Sequence, residues 1–284
     1  MNAGPSTVLI AGHGERADAV AVAARAVAWL TAHGHRVCAD DADIASLGLE
    51  GAQTYSDQPL DLAISIGGDG TMLRAVGLIA GSAVPVLGVN VGQLGYLAEV
   101  EPAHLESSLE TFFAGAATIE ERLVLEVTAH TSSGSHTWRA LNEASLEKLR
   151  AGQTVRLRLS IDSASFTTYQ ADGIIVATPT GSTAYAMSAR GPVISPSHQA
   201  ILITPLAPHM LFDRSLVLRS DEIVDVEVVG NRAVGLTVDG QEVATLHAGD
   251  RVSCAASSRP ALFVRLQPNR FHQTLKSKFG LADR

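Results

Sequence analysis

Leu62-Ala63-Ile64-Ser65-Ile66-Gly67-Gly68-Asp69-Gly70-Thr71 carries an aliphatic run straight into a cluster of glycines, and a helical stretch begins near Thr71. Strand, glycine turn and helix in that order form the opening of a βαβ unit. The alternation continues on both sides, with aliphatic runs at 8–11, 35–39 and 84–89 and helical stretches at 17–33 and 102–113. Gly12, Gly34, Gly67 and Gly88 mark element ends, where a reversal or a close backbone approach excludes larger residues. The pattern predicts a doubly wound parallel sheet with crossover helices.

Beyond residue 120 the character changes. The runs at 123–130, 137–142, 155–161, 173–177, 201–204, 223–229 and 236–238 are β-rich and often alternating. Polar turns such as Ser132-Ser133-Gly134 and Asp239-Gly240 separate them. The plan is a Rossmann-like α/β domain over 1–120 and a mostly antiparallel, sandwich-like β-rich domain over 121–263. One helix from Ser182 interrupts the second, and a terminal segment, 264–284, carries a short helix at 271–279 stopped by Gly280.

Composition narrows the function classes. Apolar residues are 46% of the 284, charged residues 18% and aromatics 5%, which predicts an aliphatic interior and excludes collagen, coiled coil and disorder. Twenty-one basic residues against 29 acidic give a formal net charge of −8, with no block of five like charges. Neither a nucleic-acid backbone nor a membrane surface is an expected partner. Cys38 and Cys254 lie far apart without metal-type spacing, which fits a reducing cytoplasm. No run of 18 apolar residues occurs, and 17–30 is interrupted by Asp18 and Arg25, so export and membrane anchoring are not expected.

Two segments carry the chemistry. At Gly67-Gly68-Asp69-Gly70 the glycines let backbone N–H groups approach an anion at a helix start. Asp69 is itself an anion, so it either ligates a cation, accepts a proton from a reacting hydroxyl or caps the helix. No Lys follows, so this is not a Walker A loop. The second segment, Asp172-Gly173 through Thr178-Pro179-Thr180-Gly181-Ser182-Thr183-Ala184-Tyr185, again runs a strand into small hydroxyl residues. Its hydroxyls can bond phosphate, ribose or adenine, and Tyr185 offers a ring face; a plain capped helix is the other reading. Asn142-Glu143 could clasp paired sugar hydroxyls or simply form a turn. Gly12-His13-Gly14-Glu15-Arg16-Ala17 imitates a dinucleotide fingerprint or is a structural turn. His33 and His35 read as surface residues, His209 either reaches a ligand from its Pro-rich loop or is solvent-exposed, no HExxH or GxSxG occurs, and no protein metal site is expected.

Together these motifs, with Gly88-Val89-Asn90 and Gly95-Tyr96-Leu97 between them, resemble the NAD kinase family in order and spacing. Asp213-Arg214-Ser215-Leu216 and Asp239-Gly240-Gln241 extend the likeness over about 8–280. GGDG alone is shared with lipid kinases and phosphofructokinases, whereas TPTGSTAY is specific. The resemblance implies phosphorylation of the 2′-hydroxyl on the adenosine ribose of NAD, with ATP or inorganic polyphosphate as donor and Mg²⁺ travelling with ATP. It implies a cytoplasmic homodimer or homotetramer, with the terminal helix returning to the first domain. Asp69 matches the proton acceptor; Asn142 and Glu143 match the adenosine-side pair; Thr183, Ala184, Tyr185 and Ser188 match the adenine-side contacts. Asp172 matches a residue near the nicotinamide end, Gly70, Arg74 and Gln241 match lesser contacts, and Ala207 lies in a loop that can approach a neighbouring subunit's site.

Arg190 departs from the pattern by standing where the family commonly has glycine, and Gln170 stands where members differ in their use of NADH. Arg74, Arg214 and Lys148 are candidates to offset the charge of the donor phosphates. The alternatives are a lipid or sphingoid kinase sharing the glycine–aspartate loop, a non-catalytic NAD(H)-binding sensor and a Rossmann dehydrogenase. The first would want an interfacial helix and the last a catalytic group, and neither is found in the sequence.

Overall fold

The computed structural model describes residues 4–92, 95–267 and 271–281; the remainder of the expected first domain and terminal segment lies outside these residues. In chain order the elements begin β1 (Thr7–Gly12), α1 (Ala17–Ala32), β2 (Arg36–Ala39), α2 (Asp41–Leu47), β3 (Gln53–Thr54), β4 (Leu62–Gly67), α3 (Asp69–Leu78) and β5 (Pro85–Asn90). Next come α4 (Leu105–Phe113), β6 (Thr118–Arg122), β7 (Leu125–Thr131), β8 (Gly134–Ala140), β9 (Glu143–Lys148), β10 (Val155–Ile161), β11 (Ala164–Ala171) and β12 (Gly173–Ala177). The rest are α5 (Tyr185–Ser188), β13 (Ala200–Leu206), β14 (Leu216–Arg219), β15 (Val224–Val228), β16 (Val234–Val238), β17 (Gln241–Leu246), β18 (Arg251–Ala256), β19 (Ala261–Arg265) and α6 (Phe271–Lys278). The chain divides into two compact units, one from the described residues of 1–121 and 261–284, the other 122–260.

The first unit holds a seven-stranded sheet in the order β3-β2-β1-β4-β5-β19-β6. The pairs from β3 across to β19 are parallel. β1 and β4 are buried along their whole lengths, as strands covered on both faces must be. α1 buries Ala19, Val22, Ala23, Ala26 and Leu30, a stripe at helical spacing. The order reverses between β1 and β4, so the carboxyl ends of these two strands, at Gly12 and Gly67, flank the crevice where such sheets bind ligands.

α2 was not expected from the sequence, although its ends carry ordinary signals. Asp40 accepts the Asp43 N–H at 2.6 Å as its cap, and Gly48, at φ 61°, stops it. α3 starts at Asp69, two residues before the expected position.

The second unit is a pair of six-stranded sheets, β11-β10-β15-β18-β7-β8 and β14-β13-β12-β9-β16-β17. Every pairing in them is antiparallel. Val127, Leu157, Leu159, Val226 and Val252 of the first sheet share one core with Leu146, Ile174, Val176, Ile203 and Leu236 of the second. β10 shows the sandwich alternation, with Val155, Leu157 and Leu159 inward and Arg156 and Arg158 outward. β12 and β13 are buried throughout, because Ile175, Ala177, Leu202 and Leu206 pack on their other face against Ala186, Ala189 and Ile194.

Two expectations need correction here. The run 137–142 is not one strand: β8 ends at Ala140, and Glu143 opens β9 in the other sheet. The helix from Ser182 is a 3₁₀ turn, Gly181–Thr183, followed by the single turn of α5, because Ala184 (φ −101°, ψ −125°) breaks the helical path. Among the described residues no helix is long and apolar enough to cross a membrane.

Candidate functional site

The first set of candidate residues lies at the carboxyl end of β4. Gly68 is the residue before α3, and no side chain caps that helix, so Asp69 does not serve as its cap. Instead the Asp69 carboxylate accepts the Tyr96 N–H (2.9 Å to Oδ2, 3.1 Å to Oδ1) and the Leu97 N–H (3.1 Å to Oδ1). The approach is close enough to require glycine: a Cβ on Gly95 would stand 2.0 Å from Asp69 Oδ1. A Cβ on Gly68 or Gly70 would meet nothing within 4 Å, so the outer side of the loop is open. Asn90, in register with Gly67 on the neighbouring strand, has a buried Oδ1 without a hydrogen-bond partner. Behind the loop, the Tyr96 ring is flanked by Phe271, at 6.4 Å between centroids, and by Lys278 Nζ, 4.2 Å above its face. A cavity of about 570 Å³ opens beside Tyr96; its buried cation, Arg265, is held by Glu99 at 3.1 Å and by Glu120.

Arg74, expected as a ligand contact, is occupied elsewhere. Its guanidinium donates to Asp40 Oδ2 (2.9 Å), to both oxygens of Asp43 (2.6 and 2.7 Å) and to the Gly12 carbonyl (2.8 Å). It ties α3 to the end of β1 and the start of α2. Burial pushes the Asp43 carboxyl up, and Arg74 opposes that shift. The fingerprint-like glycines also turn out to be packing positions. A Cβ on Gly12 would stand 2.6 Å from Leu47 Cδ1, and one on Gly14 2.2 Å from Ser46 Cβ, so both make room for α2.

The second set lies where the chain crosses between sheets at Leu141-Asn142. Val238-Asp239-Gly240-Gln241 is a two-residue hairpin turn with positive φ at Asp239 (46°) and Gly240 (81°), as type I′ requires. From it the Asp239 carboxylate accepts the N–H groups of Leu141 (2.7 Å), Asn142 (2.8 Å) and Glu143 (3.1 Å). Burial raises its pKa, and the same three N–H groups oppose the rise. From the other side, Thr178 donates its hydroxyl to the Leu141 carbonyl (2.5 Å) and its N–H to the Asn142 carbonyl (2.8 Å). A Cβ on Gly181 would lie 2.1 Å from the Asn142 carbonyl oxygen. The backbone of 141–143 is thus clamped. The Glu143 side chain is 8% exposed, its Oε2 has no partner, and its pKa is pushed up to about 7, first by burial and then by the charge of Asp239.

Not all the hydroxyls face outward as the sequence reading allowed. Thr178, Thr180 and Ser182 are buried, and Ser182 Oγ donates to the Pro179 carbonyl and accepts the Ile194 N–H. They build the loop. Thr183 and Ala184 remain half-buried, and Tyr185 and Ser188 are exposed. Tyr185 donates its hydroxyl to Glu147 Oε2 at 2.8 Å. Asp172 and Lys148 form an ion pair at 2.6 Å, so neither of the other two proposed cations is unencumbered, Arg214 lying 82% exposed beside Asp213. Gln241, Gln170, Ala207 and His209 are exposed, and the His209 N–H is bonded to the Gln170 carbonyl. Among the described residues no group of three or more His, Cys, Asp or Glu could hold a metal ion.

Sequence reasoning missed two residues. Asp239 was read only as a turn and a likeness, though its Asp-Gly signature placed it; Glu147 carries no signal beyond its alternation with Glu143 and Ser145.

Residues 8–117 match the ATP-NAD kinase N-terminal domain and residues 141–266 the ATP-NAD kinase C-terminal domain. An NAD kinase of Moorella thermoacetica is 42% identical over 216 residues, covering 76% of this chain and 70% of its own. One of Syntrophotalea carbinolica is 35% identical over 272 residues, covering 94% and 95%. The crystal structure of yeast NADH kinase complexed with NADH shares the fold at a TM-score of 0.92, with 24% identity over 99% of this chain and 89% of that one.

Proposed function

The chain belongs to the NAD kinase family, and from that premise we propose that it transfers the γ-phosphoryl group of ATP to the 2′-hydroxyl on the adenosine ribose of NAD. The phosphorus–oxygen bond to ADP breaks, the new ester bond completes NADP, and the hydroxyl proton passes to the Asp69 carboxylate. One observation carries the assignment: Asp69 is fixed by the Tyr96 and Leu97 N–H groups at the mouth of an open glycine loop, and it does not cap the helix it begins. Each carboxylate oxygen can accept more than one hydrogen bond, so capacity remains for a substrate hydroxyl.

Phosphoryl transfer needs an oriented hydroxyl and donors for phosphate oxygens, not a covalent nucleophile. The uncapped start of α3, with Gly68 and Gly70 open to the outside, supplies such donors. Mg²⁺ enters with the ATP phosphates as part of the substrate. Glu143 and Asn142 hold the adenosine side; the unpartnered, buried Oε2 of Glu143 suits a sugar hydroxyl. Thr183, Ala184, Tyr185 and Ser188 line the adenine side, with Asp172 toward the nicotinamide end and Gln241 at the turn beside Asp239. Arg74 acts by bracing the loop around Gly12. Ala207, exposed and in a left-handed conformation at φ 42°, lies in the loop that would reach a neighbouring subunit's site in a homodimer or homotetramer.

The test is NADP formation from NAD with Mg²⁺-ATP, read by a coupled NADP-specific dehydrogenase and repeated with polyphosphate. Asp69→Asn is expected to lower kcat by about 10²–10⁴. Wild-type turnover in a folded Asn variant would overturn the role of Asp69.

A further inference from the structure

Resting on that reading, in which Tyr185 lies beside the adenine, we propose that Glu147 is a positioning residue for the nucleotide, holding the Tyr185 ring through its hydroxyl. β9 has two faces. Ala144 and Leu146 belong to the sandwich interior, while Glu143, Ser145 and Glu147 alternate on the other. The two oxygens of Glu147 are divided between two hydroxyl donors, Tyr185 Oη at 2.8 Å on Oε2 and Ser145 Oγ at 2.7 Å on Oε1. Ser145 is 3% exposed, so it fixes the carboxylate from within the sheet.

Tyr185 needs such a tether. It begins a helix of one turn and is 37% exposed, so packing alone leaves the far end of the ring without a boundary. A hydrogen bond to a charged acceptor is among the stronger ones and fixes that end. The arrangement also demands a neutral phenol, since a phenolate could not donate and would face Glu147, Asp172 and Glu143. Burial and these carboxylates push the phenol up to about 12. The nearby cation, Lys148, is paired with Asp172. Glu147 therefore acts on Tyr185 and not on the reacting atoms, which assigns its effect to NAD binding and leaves phosphoryl transfer intact.

The experiment measures KM for NAD and kcat at saturating Mg²⁺-ATP in Glu147→Ala, Glu147→Gln, Tyr185→Phe and the Glu147→Ala/Tyr185→Phe double variant. Ultraviolet titration of the tyrosines accompanies it. Glu147→Ala is expected to raise KM about tenfold with kcat changed by less than about twofold. Tyr185→Phe should match it, the double variant should be no worse, and Glu147→Gln, whose amide oxygen can still accept the hydroxyl, should restore most of the affinity. The Tyr185 phenol, identified in the titration by its loss in Tyr185→Phe, is expected above the usual tyrosine range and should move down in Glu147→Ala. Multiplying losses in the double variant, or an unmoved titration, would overturn the proposal. Absence of NADP from wild type would instead overturn the kinase reading, and the titration, which needs no turnover, would still decide the tether.

Discussion

Two strand-to-helix turns, 67–71 and 178–185, look alike in sequence and are used in opposite ways. At the first, Gly68 and Gly70 border open space, and the one charged side chain is held by a separate loop. At the second, Gly181 presses against the Asn142 carbonyl and the hydroxyls of Thr178 and Ser182 bond inward. One turn leaves its donors for something outside; the other spends them positioning Asn142 and Glu143. Glycine and small hydroxyl residues at a helix start thus signal close approach, and only the partners of that approach separate ligand from scaffold.

Substituting the glycines tests this contrast directly. Gly181→Ala places a methyl group against a backbone carbonyl that Thr178 and Asp239 prevent from moving, so a loss of about 3–4 kcal/mol in stability is expected by denaturant unfolding. Gly68→Ala, with an extended φ of −96° and nothing near its Cβ, should unfold within about 0.5 kcal/mol of wild type and show its effect in turnover alone. Equal losses of stability at both positions would erase the distinction.

Gly95→Ala probes the first turn from its partner loop. A methyl group there would meet Asp69 Oδ1, so the carboxylate must shift, and a displacement near 1 Å lowers kcat by about 10²-fold. Thermal unfolding should change far less than turnover. An unaffected kcat would mean that the grip of Tyr96 and Leu97 on Asp69 is incidental.

Glu143 sharpens the second turn. Its carboxyl rises from 4.5 to about 7 in the folded chain, so between those values the native state holds more protons than the unfolded one. Stability therefore falls as pH rises through that window and stays lower above it. Glu143→Gln cannot ionise, so it should match wild type below about pH 4.5 and exceed it by on the order of 3 kcal/mol at pH 8. Denaturant midpoints at pH 5 and 8 check the sign. The same variant should bind NAD less tightly at pH 8, because an amide is a weaker acceptor than the carboxylate for a ribose hydroxyl.

The parallel sheet was legible because β1 and β4 are continuous aliphatic runs with glycines at their ends, and Asp69 was legible because a charge among glycines needs a reason. β3, β6, β9, β11, β14, β17, β18 and β19 were not. Strands such as Gln241–Leu246 expose one polar face and carry few apolar residues, so alternation over five or six positions scarcely separates them from loop. The strand break at Leu141-Asn142 was hidden for a different reason: it is imposed by Asp239, almost a hundred residues away, through hydrogen bonds that leave no local pattern. The roles of Arg74 and the Gly12 turn were likewise decided by α2, a helix too short to be read from periodicity.

The smallest expected effect lies at the end of α5. Arg190 adopts φ 63°, a left-handed conformation that glycine takes without steric cost, and the Gly191 N–H that follows donates to the Ala186 carbonyl at 2.8 Å. An arginine there bears a steric cost of about 1–2 kcal/mol that glycine avoids, and glycine gives back about 0.5–1 kcal/mol through its freer unfolded chain. Arg190→Gly should therefore gain about 0.5–1 kcal/mol in denaturant unfolding, whereas Gly191→Ala, whose Cβ would stand 2.8 Å from that carbonyl, should lose stability. The side chain is exposed, so kcat/KM for ATP should stay within about twofold of wild type. A larger fall on Arg190→Gly would place its guanidinium on the donor phosphates, and would make the second turn a phosphate-facing one after all.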